Sequence, residues 1–439
     1  MKLAIIADDL TGANDSGVQL ARCGLHTFVF MNPTGTIIRE CDAAVMDTDS
    51  RSLPAAEAYR LAKAAAEQAK QWGARVVYKK IDSTMRGNIG SELEAMVDIF
   101  RPDFVVMTPA FPRNGRTVRD GHLFVHGIPV HETEMARDPK TPVLQSGIPD
   151  LIAQQSRRKT AVVTKDQLAE GLPSLMSRMD EWLQQQVAYL VLDAESEDEL
   201  AHAARLFSQC GRNLVWCGSA GLAFHLVEAM GWMTSSRDQT TAETMADWET
   251  DRPVLTVVGS VSPRSRKQLD ILLGDGRVTG IKLHSASVIR GGDVKQAEQK
   301  RVMEAAKEAL AKRLDPVLYS SGEPEDVREA KEIGASLGLD DSTVSNRIAE
   351  ALGEVAARIV LSANPGGLVM TGGDTAKQVC RFVGAIYMRL HDEIETGVPL
   401  GWLAMGANGD TIPAVTKAGS FGTDEVLLRA LRLLRGEKR

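Results

Sequence analysis

The sequence predicts an α/β protein of two domains with mostly parallel sheets and a substrate cleft between them, and three observations lead there. Short apolar runs alternate with amphipathic helical stretches along most of the 439 residues, the pattern of crossover connections on a parallel sheet. Several of those runs stop abruptly at acidic or glycine-containing turns, as strands of an open parallel sheet do where a ligand binds. Finally, residues 234–252 (TSSRDQTTAETMADWETDR) lose all apolar periodicity before Pro253, which marks a linker. The expected organisation is a domain over 1–233, a linker over 234–252 and a domain over 253–439.

In the first domain the expected strands are Leu3 to Ala7, Thr27 to Met31, Ala43 to Met46, Arg75 to Lys79, Phe104 to Met107, Thr160 to Val163 and Tyr189 to Leu192, with helices at Pro54 to Trp72 and Glu197 to Cys210. The second domain repeats the alternation. Strands are expected at Val254 to Val258 and Leu368 to Met370, and helices at Ser262 to Leu273, Val294 to Leu314 and Ser342 to Leu361.

With 44% hydrophobic and 25% charged residues the chain has the composition of an ordinary globular protein, and a net charge of −7 argues against a phosphate-tracking nucleic-acid surface. Small molecules are the expected partners, with no nucleic acid and no membrane. Cys23, Cys41, Cys210, Cys217 and Cys380 lack the close spacing of a zinc site or a disulfide framework. The apolar opening meets Asp8 and Asp9 too soon for a signal-peptide core, and no later run is long enough to span a bilayer. A cytoplasmic location is the expectation.

Four segments of the first domain place polar or basic residues directly after a strand: Asp8-Asp9-Leu10-Thr11-Gly12, Asp47 to Arg51, Lys79 to Asn88 and Pro109 to Arg116. Gathered on one sheet edge they would line a pocket for an acidic, hydroxylated ligand. Arg86, Arg113 and Arg116 have the forked donors that grip a carboxylate, whereas Asp8, Asp9, Asp82, Ser83 and Thr84 can bond hydroxyls. Blander readings stand beside these: Asp9 and Asn88 as helix caps, the Lys79-Lys80 and Arg113/Arg116 charges as solvated surface.

In the second domain Val258-Gly259-Ser260-Val261-Ser262-Pro263 and Met370-Thr371-Gly372-Gly373-Asp374-Thr375 each run from strand through a turn into a helix. Such turns bring backbone amides and a helix dipole close to phosphate oxygens, and two of them suggest a nucleotide. Each could also be a mere tight connection. The loop Lys417-Ala418-Gly419-Ser420-Phe421-Gly422-Thr423-Asp424 either lies over that nucleotide or caps the closing helix. There is no P-loop and no dinucleotide-binding glycine fingerprint after the first strand. His122, His126 and His131 fall in a loop or hairpin without zinc-site spacing.

Taken in order, IADDLTGAND, KKIDSTMRGNIGSELEA, PAFPRNGRTV, VVGSVSP, TGGDT and TKAGSFG resemble the motif series of the four-carbon acid sugar kinase family across residues 4 to 424. The resemblance implies an N-terminal domain for the acid sugar, a C-terminal domain for ATP, and phosphorylation of a tetronate at its C4 hydroxyl. It implies that Asp8, Asp9, Thr11, Asp82, Ser83, Arg86 and Gly87 surround the sugar acid, with Arg113 and Arg116 nearby; Arg51, closing the Asp47 to Arg51 segment, is a further expected substrate-binding residue. Around ATP it implies Ser260, Ser262, Gly372, Gly373, Asp374, Thr375, Gly419 and Gly422. The stretch Thr11 to Leu20 is most similar to threonate kinases, so D-threonate is the expected acceptor, D-erythronate a further one and a 3-oxo-tetronate the alternative. Leu10 departs from the phenylalanine common in the family.

Phosphoryl transfer chiefly needs positioning and charge neutralisation. Hence Mg²⁺ is expected with ATP, and Asp374 either meets it or caps its helix. Asp9 or Asp8, ahead of Asp82, is expected to serve the reacting hydroxyl as a base. A hydroxy-acid dehydrogenase using NAD and a sugar-acid sensor are the rival readings, and a homodimer is a compatible assembly.

Overall fold

A computed structural model describes residues 1–31, 38, 40–138, 141–233, 252–406 and 409–437. The chain divides into two compact units, Met1–Arg237 and Asp238–Arg439. All of the predicted linker except Arg252 lies outside the described residues.

The first unit is built on eight parallel strands: β1 (Leu3–Ala7), β2 (Thr27–Phe30), β3 (Ala43–Asp47), β4 (Val76–Lys80), β5 (Phe104–Thr108), β9 (Lys159–Val163), β10 (Val187–Leu192) and β11 (Leu214–Gly218), in the order β2-β3-β1-β4-β11-β5-β10-β9. The strands read as near-continuous apolar runs because a parallel sheet is covered on both faces; every residue of β1 is buried. The strand pattern expected from sequence holds to within a residue or two, apart from β11, which runs straight into the apolar helix Ala220–Ala229. The helix Ala55–Gln71 turns Ala58, Ala62, Ala65, Ala66 and Ala69 inward. Those small side chains let it lie close against the helix Ile89–Phe100.

After β5 the chain makes a small antiparallel sheet of β6 (Arg116–Arg119), β7 (His122–Val125) and β8 (Ile128–Pro129). Of the loop or hairpin expected around His122, His126 and His131, the structure forms a hairpin sheet, with His131 just past its last strand.

The second unit has β12 (Val254–Val258), β13 (Val278–Leu283), β14 (Asp315–Ser320), β15 (Gly367–Thr371), β16 (Ala385–Glu393), β17 (Pro399–Met405) and β18 (Asp410–Lys417), ordered β13-β14-β12-β15-β18-β17-β16. The first five of that order are parallel, and β17 and β16 add an antiparallel edge. The helices Pro263–Leu273 and Val426–Leu434 bury Leu269, Leu272, Leu427, Leu431 and Leu434 against Val254, Val317, Val369 and Val415 of the sheet. Ser262 caps the first of these helices and Pro263 opens it, as expected.

The two sheets share a topological device. β1 lies between β3 and β4, and β12 lies between β14 and β15. In each unit the chain therefore winds one way from its first strand and then crosses to the other side. Such a reversal opens a crevice beyond the carboxyl end of that first strand.

Candidate active site

The register brings Ala7, Asp47, Lys80, Gly218 and Thr108 into one row at the carboxyl edge of the first sheet. The four polar segments singled out from sequence thus leave the sheet along one edge. The loop after β3 is tied to the end of β1: the Ser50 and Arg51 amides donate to the Asp8 carbonyl at 3.0 and 3.2 Å.

Arg51 organises the centre. Its Nε and Nη2 donate to the Asp8 carboxylate at 2.7 and 2.9 Å, and its Nη1 and Nη2 to Asp9 at 3.0 and 2.6 Å. Asp9 also caps the helix Leu10–Arg22, accepting the Gly12 amide at 3.0 Å, so the capping reading of Asp9 is met within the same cluster. Arg86 grips Asp82 with Nε and Nη2 at 2.9 and 3.0 Å and reaches Asp138 with Nη1 at 3.0 Å. Arg51 stands 3.9 Å from Asp82, which joins the two pairs. Gly87, at φ +102°, packs beside Arg51, and a side chain there would press on the arginine stem.

The two aspartates at the end of β1 differ in character. Burial works against the charge on Asp8, but its forked pair with Arg51 and the nearby Lys79 and Lys80 hold the carboxyl below its usual range. For Asp9, burial together with the neighbouring Asp8 and Asp82 charges outweighs Arg51 and lifts the carboxyl above its usual range. Asp8 is 1% exposed, whereas the Asp9 side chain is 25% exposed. Asp82, despite its burial, is held low by Arg51 and Arg86.

Lys79 and Lys80, whose plain reading was solvated surface, are both buried. Lys79 pairs with Glu92 at 3.0 Å and donates to the carbonyls of Lys80 and Ile6 at 2.8 and 3.3 Å, tying β4 to β1. Glu92 in turn takes the Ser50 hydroxyl. A Cβ on Gly12 would fall 2.8 Å from Lys80 Nζ, so the glycine in the first helical turn makes room for that ammonium. The glutamate partner gives no signal in sequence, because it lies 13 positions beyond Lys79, on a helix whose packing decides the contact.

Of the remaining predicted residues, Thr11 and Ser83 are half-buried beside the cluster, in the first turn after Asp9 and in the loop after β4. Arg113 and Arg116 are engaged elsewhere. Arg113 pairs with Glu197 at 3.0 Å and lies over the Phe224 ring, while Arg116 bonds the Asn114 carbonyl. Asn88 heads its helix without a side-chain cap and instead donates to the Leu53 and Ser50 carbonyls at 2.8 and 3.1 Å.

In the second unit Val258, Thr371 and Lys417 form one row at the carboxyl edge, which brings the three predicted phosphate-type segments together. They are closely fitted. A Cβ on Gly259 would collide with Thr375, one on Gly419 with the Ser260 hydroxyl, and Gly372 at φ +97° lies against the Ser260 amide. The Ser262 and Ser265 hydroxyls donate to the Gly419 carbonyl at 3.0 and 2.7 Å. Gly422 has φ +79°. The unusual backbone geometry of the Gly372-Gly373 turn resides at Gly372, the N-cap, and Gly373 is an exposed first residue of the helix Gly373–Phe382. Asp374 is exposed in its first turn, and no group of three or more His, Cys, Asp or Glu residues among those described forms a ligand set around it. Lys417, buried at the end of β18, is a further residue of this edge that motif reasoning left unassigned.

The switch point of the first sheet thus gathers aspartates and arginines and that of the second gathers glycine turns, each an arrangement suited to a polar small molecule. Comparison with known proteins agrees. A family model described as a sugar-binding N-terminal domain matches residues 3–226, and one described as a nucleotide-binding C-terminal domain matches residues 255–427. The chain belongs to the four-carbon acid sugar kinase family. It is 33% identical to a D-threonate kinase of Salmonella typhimurium, covering 98% of both chains. Identity is 31% with a D-erythronate kinase of Heliobacterium modesticaldum (96% and 94% covered) and 28% with a 3-oxo-tetronate kinase of Pseudomonas savastanoi (99% and 97%). A crystal structure from Salmonella typhimurium LT2 superposes with a TM-score of 0.80 at 27% identity, covering 98% of this chain and 99% of that one. No helix among the described residues is long and apolar enough to cross a membrane.

Proposed function

We propose that the chain is an ATP-dependent kinase that phosphorylates the C4 hydroxyl of a four-carbon sugar acid, D-threonate first, yielding 4-phospho-D-threonate. D-Erythronate is a second acceptor, and a 3-oxo-tetronate is the alternative. The observation that carries this reading is the Asp8–Arg51–Asp9 and Asp82–Arg86 network at the switch point of the sugar-binding unit. Arg51 and Arg86 spend their forks on Asp8, Asp9, Asp82 and Asp138, so the network holds these carboxylates at the crevice as acceptors for the hydroxyls of a sugar acid. The Thr11 and Ser83 hydroxyls beside them can accept from or donate to the remaining hydroxyls.

Asp9 is the base of choice over Asp8. Both carboxylates pair with Arg51, but Asp9 is the more exposed of the two and the more ready to hold a proton. ATP would be held by Ser260, Ser262, the Gly372 to Thr375 turn and the Gly419 to Gly422 loop, whose amides and helix N-terminus suit phosphate oxygens. Mg²⁺, when bound with ATP, neutralises phosphate charge. Asp374 offers it a single hard oxygen ligand, in keeping with an ion that is usually shared between one or two carboxylates, phosphates and water.

The test is to incubate the protein with ATP, Mg²⁺ and a panel of tetronates and to follow ADP release and product mass. A phosphorylated tetronate is expected. No transfer to any member of the panel, or acid-dependent reduction of NAD instead, would overturn the reading.

A further inference from the structure

The loop after β18 has an unusual distribution of hydrogen bonds. Five of its carbonyls point inward onto side chains. Lys417 Nζ donates to those of Ala418, Gly419 and Phe421 at 2.8, 3.0 and 3.2 Å, and Gln268 Nε2 to those of Phe421, Gly422 and Thr423 at 3.0, 3.3 and 2.8 Å. The amides of Gly419, Ser420 and Gly422 meet no acceptor among the described residues. A run of backbone whose carbonyls are collected on one side leaves its N–H groups for the other, and successive free amides of this kind attract anions.

Lys417 is only 3% exposed, and all three of its protons go to this loop. Burying an ammonium costs several kcal/mol unless its donors are used, so its placement behind a single glycine loop points to a task beyond packing. We propose that Lys417 is a positioning residue for the nucleotide: its ammonium turns the Ala418, Gly419 and Phe421 carbonyls inward, so that the loop amides and the charge behind them face the phosphates of ATP. The proposal rests on the nucleotide reading of the second unit and names the group that shapes the loop.

The charges around it are Arg264, which disfavours a further cation, and Glu395, which favours one. Arg264 is paired with Asp424 at 2.9 Å, and Glu395 takes the Thr423 amide and Arg429. Burial lowers the Lys417 ammonium to about 8. It is therefore charged below that pH and neutral above it, where it has one donor too few for its three carbonyls.

The first test needs no variant. If only the charged form shapes the loop, kcat/KM for ATP falls about eightfold between pH 7.5 and pH 9 at saturating tetronate, and calorimetric ATP affinity falls in parallel. The same step should be absent from K417M, whose ATP affinity is low at every pH. K417R should retain more affinity than K417M at pH 9, because its guanidinium stays charged. Hydrogen exchange at residues 418–423 of K417M should quicken while the helix Pro263–Leu273 stays protected. A change of less than twofold in ATP affinity across that pH range, or wild-type exchange of the loop in K417M, would refute the role of Lys417. Loss of tetronate phosphorylation by the wild-type protein at every pH would instead refute the kinase reading.

Discussion

Replacing Arg51 by alanine should reveal how the sugar-binding crevice is held together. The side chain makes four N–H···O bonds of 2.6 to 3.0 Å to Asp8 and Asp9, and its removal leaves the Asp8 carboxylate, 1% exposed, without its main partner. Breaking a buried pair by deleting one member costs about 3–5 kcal/mol. The nearby Lys79 and Lys80 soften the loss, so about 3 kcal/mol is expected, or roughly 6–12 °C in melting temperature for a unit of this size.

The pH dependence fixes the cause. In the wild type Asp8 is held below its usual range, so its contribution is present above its unfolded value of about 4 and fades as pH falls through the folded one. In Arg51→Ala burial acts unopposed by the guanidinium and lifts the carboxyl above the unfolded value. The folded state then binds the proton more tightly, and the deficit shrinks as pH falls from 7 to 5.5. Thermal unfolding followed by circular dichroism at both pH values is the assay. A melting temperature within 2 °C of wild type at pH 7, or a deficit that grows on acidification, would show that Arg51 does not neutralise this cluster.

Two further outcomes follow from the geometry. Asp9→Asn should lower kcat by about 10²- to 10⁴-fold with ATP affinity intact, and should remove the acid limb of the wild-type pH profile, which arises because Asp9 must lose its proton to act; a steady-state profile showing the same limb in the variant would move the base elsewhere. Gly372→Ala should cost about 1–3 kcal/mol and weaken ATP binding, because an L-residue is strained at φ +97°, whereas Gly373→Ala should be mild since the positive φ lies one residue earlier; equal ATP affinities by calorimetry would contradict that assignment.

Most of the parallel architecture was legible because it depends on short-range pattern. Leu3 to Ala7 and Val254 to Val258 are apolar runs ended by polar or glycine turns, and both form strands over those same residues. β11 escaped notice because Leu214–Gly218 is followed at once by an equally apolar helix, so no change of period separates the two. β13, β14 and β18 and the antiparallel pair β16 and β17 also lie outside the expected strands; β16, bounded by Gly384 and Gly397, alternates buried Met388 and Leu390 with half-buried neighbours, a strand signal of the alternating kind rather than the continuous apolar run of a parallel core strand.

The acids and arginines of the site were likewise legible as residue types after strand ends, and the shared edge could be anticipated from the rule that crevices open there. Their pairing could not. Sequence offered Arg86 as a free fork and the Lys79-Lys80 pair as solvated charge; packing gives Arg86 to Asp82 and Asp138 and buries both lysines. Nor does sequence distinguish Asp8 from Asp9, two adjacent carboxylates of the same type. Their difference arises from depth of burial and from which oxygen meets which guanidinium nitrogen, quantities set by residues 43 positions away and by the sheet that brings them together. Local pattern is encoded in neighbours along the chain, but charge state and hydrogen bonding depend on neighbours in space, and only the folded chain supplies those.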